Sequence, residues 1–368
     1  MLRLRGLIIL LIGLLISCTT TGGKTSGPKT EWLVSPELLE HAKLKILWQN
    51  ELPIRKGEHL EQLYIAGNRI YTLSSRNFLV SLDREKGSVI FSWSIASTGI
   101  PVVGFELYQD ELISIIGNKL VEMNPETGIE TKTKVLDYGV VCPVVRNSSY
   151  FYVSWPDKRL HALNADNKLQ VFEVSADNDS LITSVIATES SVIFCTKAGN
   201  VVSITPDKPK RLWQFDAADA IAGPIVRDGR QLFFASKDTN VYRLDIDNPT
   251  TAELIWKYQL PSVPTNAPRV TRRVVYQCAP TKGMVAIDRQ KGNLIWLLPQ
   301  GEELLTEADE KAFVFTNAGT LAVMDNTRGK LLYTVNFAGV SRYVTNTTDS
   351  KIYIADERGR VACLEPVK

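Results

Sequence analysis

One hairpin recurs along the whole chain, and that repetition constrains the fold more than any other feature. Its clearest copy is MVAIDRQKGNLIW, Met284 to Trp296. An apolar run meets Asp288, a charged turn ends in Gly292, and a second apolar run closes on Trp296. Aligned on Asp288, equivalent positions fall at Asp83, Asn124, Asn164, Thr205, Asp245, Asp325 and Glu365, spaced 37 to 43 residues apart. The residue before each is large and aliphatic: Leu82, Met123, Leu163, Ile204, Leu244, Ile287, Met324 and Leu364. Upstream of each lies a short run such as IYTLS, LISII, VIFCT or AFVFT, rich in the β-branched and aromatic residues of strands. The turns DREKG, NPETG, DRQKG and DNTRG start with Asp or Asn and end in Gly. That pattern predicts a type I turn closed by a glycine at positive φ.

Eight residues after the turn's first position stands an aromatic: Phe91, Phe172, Trp213, Trp296 and Tyr333. Trp256 arrives three residues late, behind an insertion, and Lys132 breaks the pattern. The copy at Glu365 has no room for a last strand before Lys368. LKILWQNEL, which stands alone ahead of the first copy, matches GNLIW in register and carries Trp48. The N-terminal strand therefore completes the last copy and closes a ring, which removes exposed sheet edges. A unit of roughly 40 residues holds four short strands, as a propeller blade requires. A chain of 368 residues, 44% hydrophobic, would ordinarily suggest two domains. The repeat overrides that expectation. Residues 44–368 read as one all-β, eight-bladed β-propeller of four-stranded blades.

The first residues are of another kind. Arg3 and Arg5 precede LIILLIGLLI, Leu7 to Ile16, which is too short to span a bilayer as a helix of roughly 20 residues. It fits the core of a signal peptide, residues 1–17. LISC, Leu15 to Cys18, resembles the lipobox of bacterial lipoproteins. That resemblance implies cleavage before Cys18, acylation of its thiol, and, with Thr19 rather than Asp next, an outer-membrane address. Removing Arg3 and Arg5 takes Lys+Arg from 42 to 40, against 40 Asp+Glu. No net field then draws the chain to nucleic acid. Residues 18–43 form a lipidated tether of small polar residues. SPELLEHAK within it reads as one short helix with Ser35 as N-cap and Pro36 at the first helical position.

Catalytic chemistry has little foothold. An aromatic recurring in every unit fits packing between blades, because a reacting group is needed once and a wedge is needed in each unit. Cys142, Cys195, Cys278 and Cys363 include no adjacent pair and no CxxC, and His41, His59 and His161 are scattered. Cys195 and Cys278 share a register in blades 4 and 6, which are not neighbours, so a disulfide there is geometrically unfavourable. Cys363 stands where other copies have Ala162 or Ala286, the place of a small buried residue. No calcium loop, P-loop, GxGxxG or GxSxG pattern occurs. The expectation is a non-enzyme with no cofactor, no metal and no small-molecule substrate, acting through loops. Two departures from the repeat mark candidate loops. One is the insertion in DIDNPTTAELIW, around Asn248 and Thr250; the other is SADNDSLITSVIA, Ser175 to Ala187.

VYRLD, MVAIDRQKGNLIW and KLLYTV resemble the PQQ-like propeller repeat: an apolar strand, an ALD-like step, a TG or KG turn, then an aliphatic pair and Trp. With the lipobox and the length, the chain resembles the propeller lipoproteins of the outer-membrane β-barrel assembly machinery. The resemblance implies a periplasm-facing scaffold, lipid-anchored in the outer membrane and monomeric within a complex, that binds the periplasmic domains of a β-barrel insertase. It also points to Leu181 and its neighbour Ile182 as contacts. A SLSLRG-like motif of that family is matched here at Ser180 and Leu181, while its Arg is absent. Two alternatives stay open: another envelope propeller lipoprotein, for adhesion or envelope stress, and a quinone-dependent dehydrogenase.

Overall fold

The computed structural model describes residues 31–367. Their 32 strands form eight four-stranded antiparallel sheets. Blade 1 runs Leu60–Ala66, Arg69–Ser74, Phe78–Asp83 and Val89–Ser94, and each next strand pairs with the one before it. Blades 2 to 7 repeat this order. First strands of neighbouring blades contact one another, for example Leu60–Ala66 with Val102–Tyr108, so they ring the axis and the fourth strands form the rim. Blade 8 takes Arg342–Val344, Ile352–Ala355 and Arg360–Pro366 from the C-terminus and Leu44–Glu51 from the N-terminus. The chain is an eight-bladed β-propeller closed by its N-terminal strand.

The register explains the repeat. In each blade the residue two before the turn position lies opposite the repeating aromatic. Ser81 pairs with Phe91, Ala162 with Phe172, Ser203 with Trp213, Ala286 with Trp296 and Val323 with Tyr333. Trp256 pairs with Arg243, so the blade 5 insertion is absorbed wholly in the turn. Trp48 pairs with Cys363, which puts the N-terminal strand in the same register as the others. A one-residue register shift sits beside this pair in all eight blades, Trp48 included. Such a bulge bends the strand and re-aims its side chains.

The aromatic ring then meets the turn of the next blade. A Cβ on Gly87 would lie 2.3 Å from the Trp48 ring, one on Gly128 2.5 Å from Phe91, and one on Gly292 2.7 Å from Trp256. The indole N–H of Trp48 donates to the Arg84 carbonyl (3.2 Å) and that of Trp256 to the Arg289 carbonyl (2.9 Å). Asp288 builds the turn that receives Trp256. Its Oδ1 accepts from the N–H groups of Gln290 (2.9 Å) and Lys291 (2.7 Å), and Gly292, at φ 72°, donates to its carbonyl (2.9 Å). In the equivalent turn of blade 1, the backbone N–H of Lys86 holds the Asp83 carboxyl below its ordinary pKa. The hydrophobic core is correspondingly divided among the seams. Trp296 and Tyr276 of blade 6 pack with Leu304, Ala312 and Met324 of blade 7; Trp48 and Tyr353 of blade 8 pack with Ile70 and Leu82 of blade 1.

The seam between blades 2 and 3 replaces this wedge with charge. Lys132, opposite Glu122, is exposed. Glu122 is 1% exposed and pairs with Lys168 at 2.7 Å. Lys168 occupies the glycine's place in the next turn, at φ 58°, and its ammonium lies over Phe151 (4.6 Å). Arg146 stacks on Tyr108 and Phe151 and pairs with Glu111 at 2.6 Å. Glu122, Lys168 and Arg146 therefore form one buried ionic cluster in the space an aromatic fills elsewhere.

Blade 8 has no turn of its own to receive Tyr333, because its third and fourth strands, Arg360–Pro366 and Leu44–Glu51, are not consecutive in sequence. The helix Pro36–His41 supplies the substitute. The Ser35 side chain accepts from Leu38 N–H, and Leu39 is buried against blades 7 and 8. The helix ends at Ala42, whose carbonyl accepts from the Tyr333 hydroxyl (2.8 Å). Lys43, at φ 51°, makes the turn, and its carbonyl accepts from Val367 N–H (2.7 Å). Trp296→Ala should cost about 3–5 kcal/mol of stability by emptying one seam. Gly292→Ala adds the Trp256 clash to positive-φ strain, whereas Gly229→Ala, in open space at φ 60°, carries the strain alone. Urea denaturation should therefore rank Gly292→Ala clearly below Gly229→Ala.

Candidate interaction surfaces

The strand order gives the ring two unlike faces. Turns between first and second strands and between third and fourth strands emerge on one, the turn face. Turns between second and third strands and the links between blades emerge on the other, the loop face. The turn face carries the DREKG-type hairpins, polar at their tips but exposing Ile129 and Leu169, at 61% each, just after two of them. The loop face exposes apolar side chains on its inter-blade links: Ile100 at 42%, Tyr138 at 58% and Val263 at 46%. Their backbone lies in the segments between Ser94 and Val102, Val135 and Val145, and Gln259 and Arg269.

The candidate residues separate onto these faces. Leu181 lies on the loop face, half-buried, in the link from blade 3 to blade 4. That link is pinned at both ends: Lys158 pairs with Asp179 (3.1 Å), Arg211 with Asp177 (2.5 Å), and Lys197 N–H donates to the Leu181 carbonyl (2.9 Å). Ile182, the first residue of the strand Ile182–Ala187, is fully buried among Tyr152, Phe194 and Val202, so its side chain faces the seam and not a partner. Asn248 and Thr250 are exposed on the turn face. There the Asn248 side-chain oxygen accepts from both the N–H and the hydroxyl of Thr250, at 2.9 Å each. The two candidate loops are therefore on opposite faces and cannot form one site. Cys18, the expected signal segment 1–17 and the expected tether up to residue 30 lie outside the described residues.

His161 is 2% exposed, stacks on Trp155 (3.9 Å), and bonds Asp157 (2.8 Å) and Gln170 (3.1 Å) through its two ring nitrogens. Among the described residues no group of three or more His, Cys, Asp or Glu is placed to hold a metal ion. No helix among them is long and apolar enough to cross a membrane. Cys142, Cys195, Cys278 and Cys363 are free thiols, and Cys363 fills the small position opposite Tyr353. Burial raises the Cys142 and Cys363 pKa to about 12 and that of Cys278 to about 11, and pushes Cys195 well above the ordinary thiol range.

These observations define a class first: an eight-bladed propeller whose blades are tied by packing and whose variable features are its loops. Part of the chain matches one family model, and the fold is shared with several solved structures. Residues 197–339, blade 4 to blade 7, match the family model described as outer membrane protein assembly factor BamB. The crystal structure of BamB from Moraxella catarrhalis matches with a TM-score of 0.68 at 14% identity, covering 88% of this chain and 97% of that one. The computationally designed Ika8 protein matches at 0.66 and 13% identity, covering 85% and 98%. The Cps50 (Swd1) β-propeller domain of Myceliophteria thermophila matches at 0.56 and 14%, covering 88% and 100%. No curated protein matches the chain in sequence. A fold shared by these three proteins does not itself specify a function. The raised thiol pKa values and burial predict that Cys142, Cys195 and Cys363 resist a disulfide-exchange reagent at pH 8 and react only on unfolding, while the half-buried Cys278 reacts first. Fast labelling of Cys195 in the native protein would contradict this packing.

Proposed function

We propose that this protein is a non-catalytic scaffold of outer-membrane β-barrel assembly. In this reading it is anchored through an acylated Cys18, faces the periplasm, and holds the periplasmic domains of a β-barrel insertase. The observation that carries the reading is the match of residues 197–339 to the assembly-factor family, on a chain with the fold of the Moraxella protein. The inter-blade links of the loop face carry exposed apolar side chains that a partner can cover. Ile100, Tyr138 and Val263 are exposed around that face, and Leu181 sits on a braced link among them. Exposed apolar residues on rigid loops are what a protein partner can bury at small entropic cost. The ring acts here as a rigid frame: its seams set the spacing of the loops, and the loops make the contact.

Two substitutions separate the parts of this reading. Leu181→Asp should reduce co-purification of the insertase by at least about tenfold, equivalent to about 1.4 kcal/mol, with the thermal midpoint retained. Thr250→Asp on the opposite face should leave it unchanged. Cys18→Ser should abolish the acyl mass and release the chain from the membrane fraction. Equal retention of the insertase by the Leu181 and Thr250 variants would remove the loop face from the account.

A further inference from the structure

The seam between blades 4 and 5 departs from the other seams in a way that packing alone does not explain. The turn from Asp245 to Glu253 is longer than its equivalents and has no glycine to receive the wedge. A cavity of about 410 Å³ opens beside it, lined by Ser203 and Trp213 of blade 4 and by Arg227, Arg230, Ile246 and Pro249 of blade 5. Trp213 is 7% exposed. Its indole N–H makes none of the hydrogen bonds that Trp48, Trp256 and Trp296 make to the next blade.

Three residues that carry donors line this space. The Ser203 side chain is 1% exposed and its hydroxyl has no partner in the protein. Arg227 donates through Nε to the Gly229 carbonyl (3.0 Å), while its Nη1 is buried with no partner. A buried donor without an acceptor is costly, so a cluster of them at a cavity marks a place built for one. The carboxylate lining the cavity, Asp247, lies 3.3 Å from Arg230 and does not satisfy Arg227. The counterpart seam between blades 6 and 7 has the opposite character. Its cavity of about 230 Å³ is lined by Asp288, Glu307 and Glu310 against one cation, Arg273, which pairs with Glu310, and its Trp296 N–H is satisfied by Asn326 (2.8 Å).

We infer that the seam between blades 4 and 5 binds a carboxylate carried on a short apolar stem, received by Arg227, Ser203 and the Trp213 indole N–H. A guanidinium fork matches the two oxygens of a carboxylate, and Trp213, Ile246 and Pro249 cover the hydrocarbon behind them. The carboxylate comes either from a free organic acid or from an acidic side chain of a polypeptide. This site lies on the turn face and does not depend on the loop-face contact.

The test uses the full chain labelled with nitrogen-15, observing the tryptophan indole resonances, with Trp213 assigned through Trp213→Phe. Butyrate and an acetylated, amidated Gly-Glu-Gly peptide are the probes, and the corresponding Gly-Gln-Gly peptide is the control. The Trp213 resonance should shift saturably with a carboxylate probe and not with the control. Arg227→Gln should weaken that response by about tenfold or more, with the other indole resonances in place. Arg230→Gln, at a side chain 64% exposed, serves as a second variant and should weaken it less. Tighter binding of the peptide assigns a polypeptide source; tighter binding of butyrate assigns a free acid. No saturable shift with either probe, or a shift unchanged by Arg227→Gln, would overturn the inference.

Discussion

An aromatic ring set against a glycine turn is the contact from which the rest of this molecule follows. Each blade buries little by itself; the clusters of buried side chains lie in the seams, where one blade's third and fourth strands face the next blade. Cooperativity in such a ring passes from neighbour to neighbour. At two seams where the repeat fails, another group fills the space. Between blades 2 and 3 that is Glu122, Lys168 and Arg146. Between blades 7 and 8 it is the end of a helix, with Ala42 taking the hydroxyl of Tyr333.

That second substitution links closure to position. The N-terminal strand closes the ring only if the segment before it supplies a turn, and Pro36–His41 does so along the rim. Leu33 begins this segment beside the loop face: its N–H donates to Gln49 Oε1 (2.9 Å) and its carbonyl lies against Gly339, in the link between blades 7 and 8. Ring closure and the packing of this segment are thus coupled, since the residues that complete blade 8 are braced by the helix that precedes them.

Most of the architecture was legible from the residues because it repeats. Asp288, Gly292 and Trp296 each have counterparts at fixed spacing, and Trp48 could be assigned to the last blade before any strand was placed. Lys132 was visible as an anomaly, but its compensation was not. Glu122 and Lys168 look like ordinary surface charges in sequence, and only the register puts one in the small position and the other in the glycine position. The candidate loops were found by the same logic of departures, yet their placement needed strand parity. A link after a fourth strand and a turn before one emerge on opposite faces, which separates Leu181 from Asn248. Ile182, one residue further on, is core, because the inter-blade link ends at Leu181. The donor-lined cavity left only a faint trace in sequence, the long turn at Asp245, since unsatisfied hydroxyls and guanidinium nitrogens are properties of packing.

The central claim is that partner recognition resides on the loop face of a rigid ring. Photoactivatable residues placed in intact cells at Tyr138, Leu181 and Val263, and at Lys86 and Lys291 on the turn face, test it most directly. The account predicts crosslinks to a β-barrel insertase from the loop-face positions and none from the turn-face positions. Crosslinks to that partner from Lys86 or Lys291 alone, or only to unrelated proteins, would contradict it.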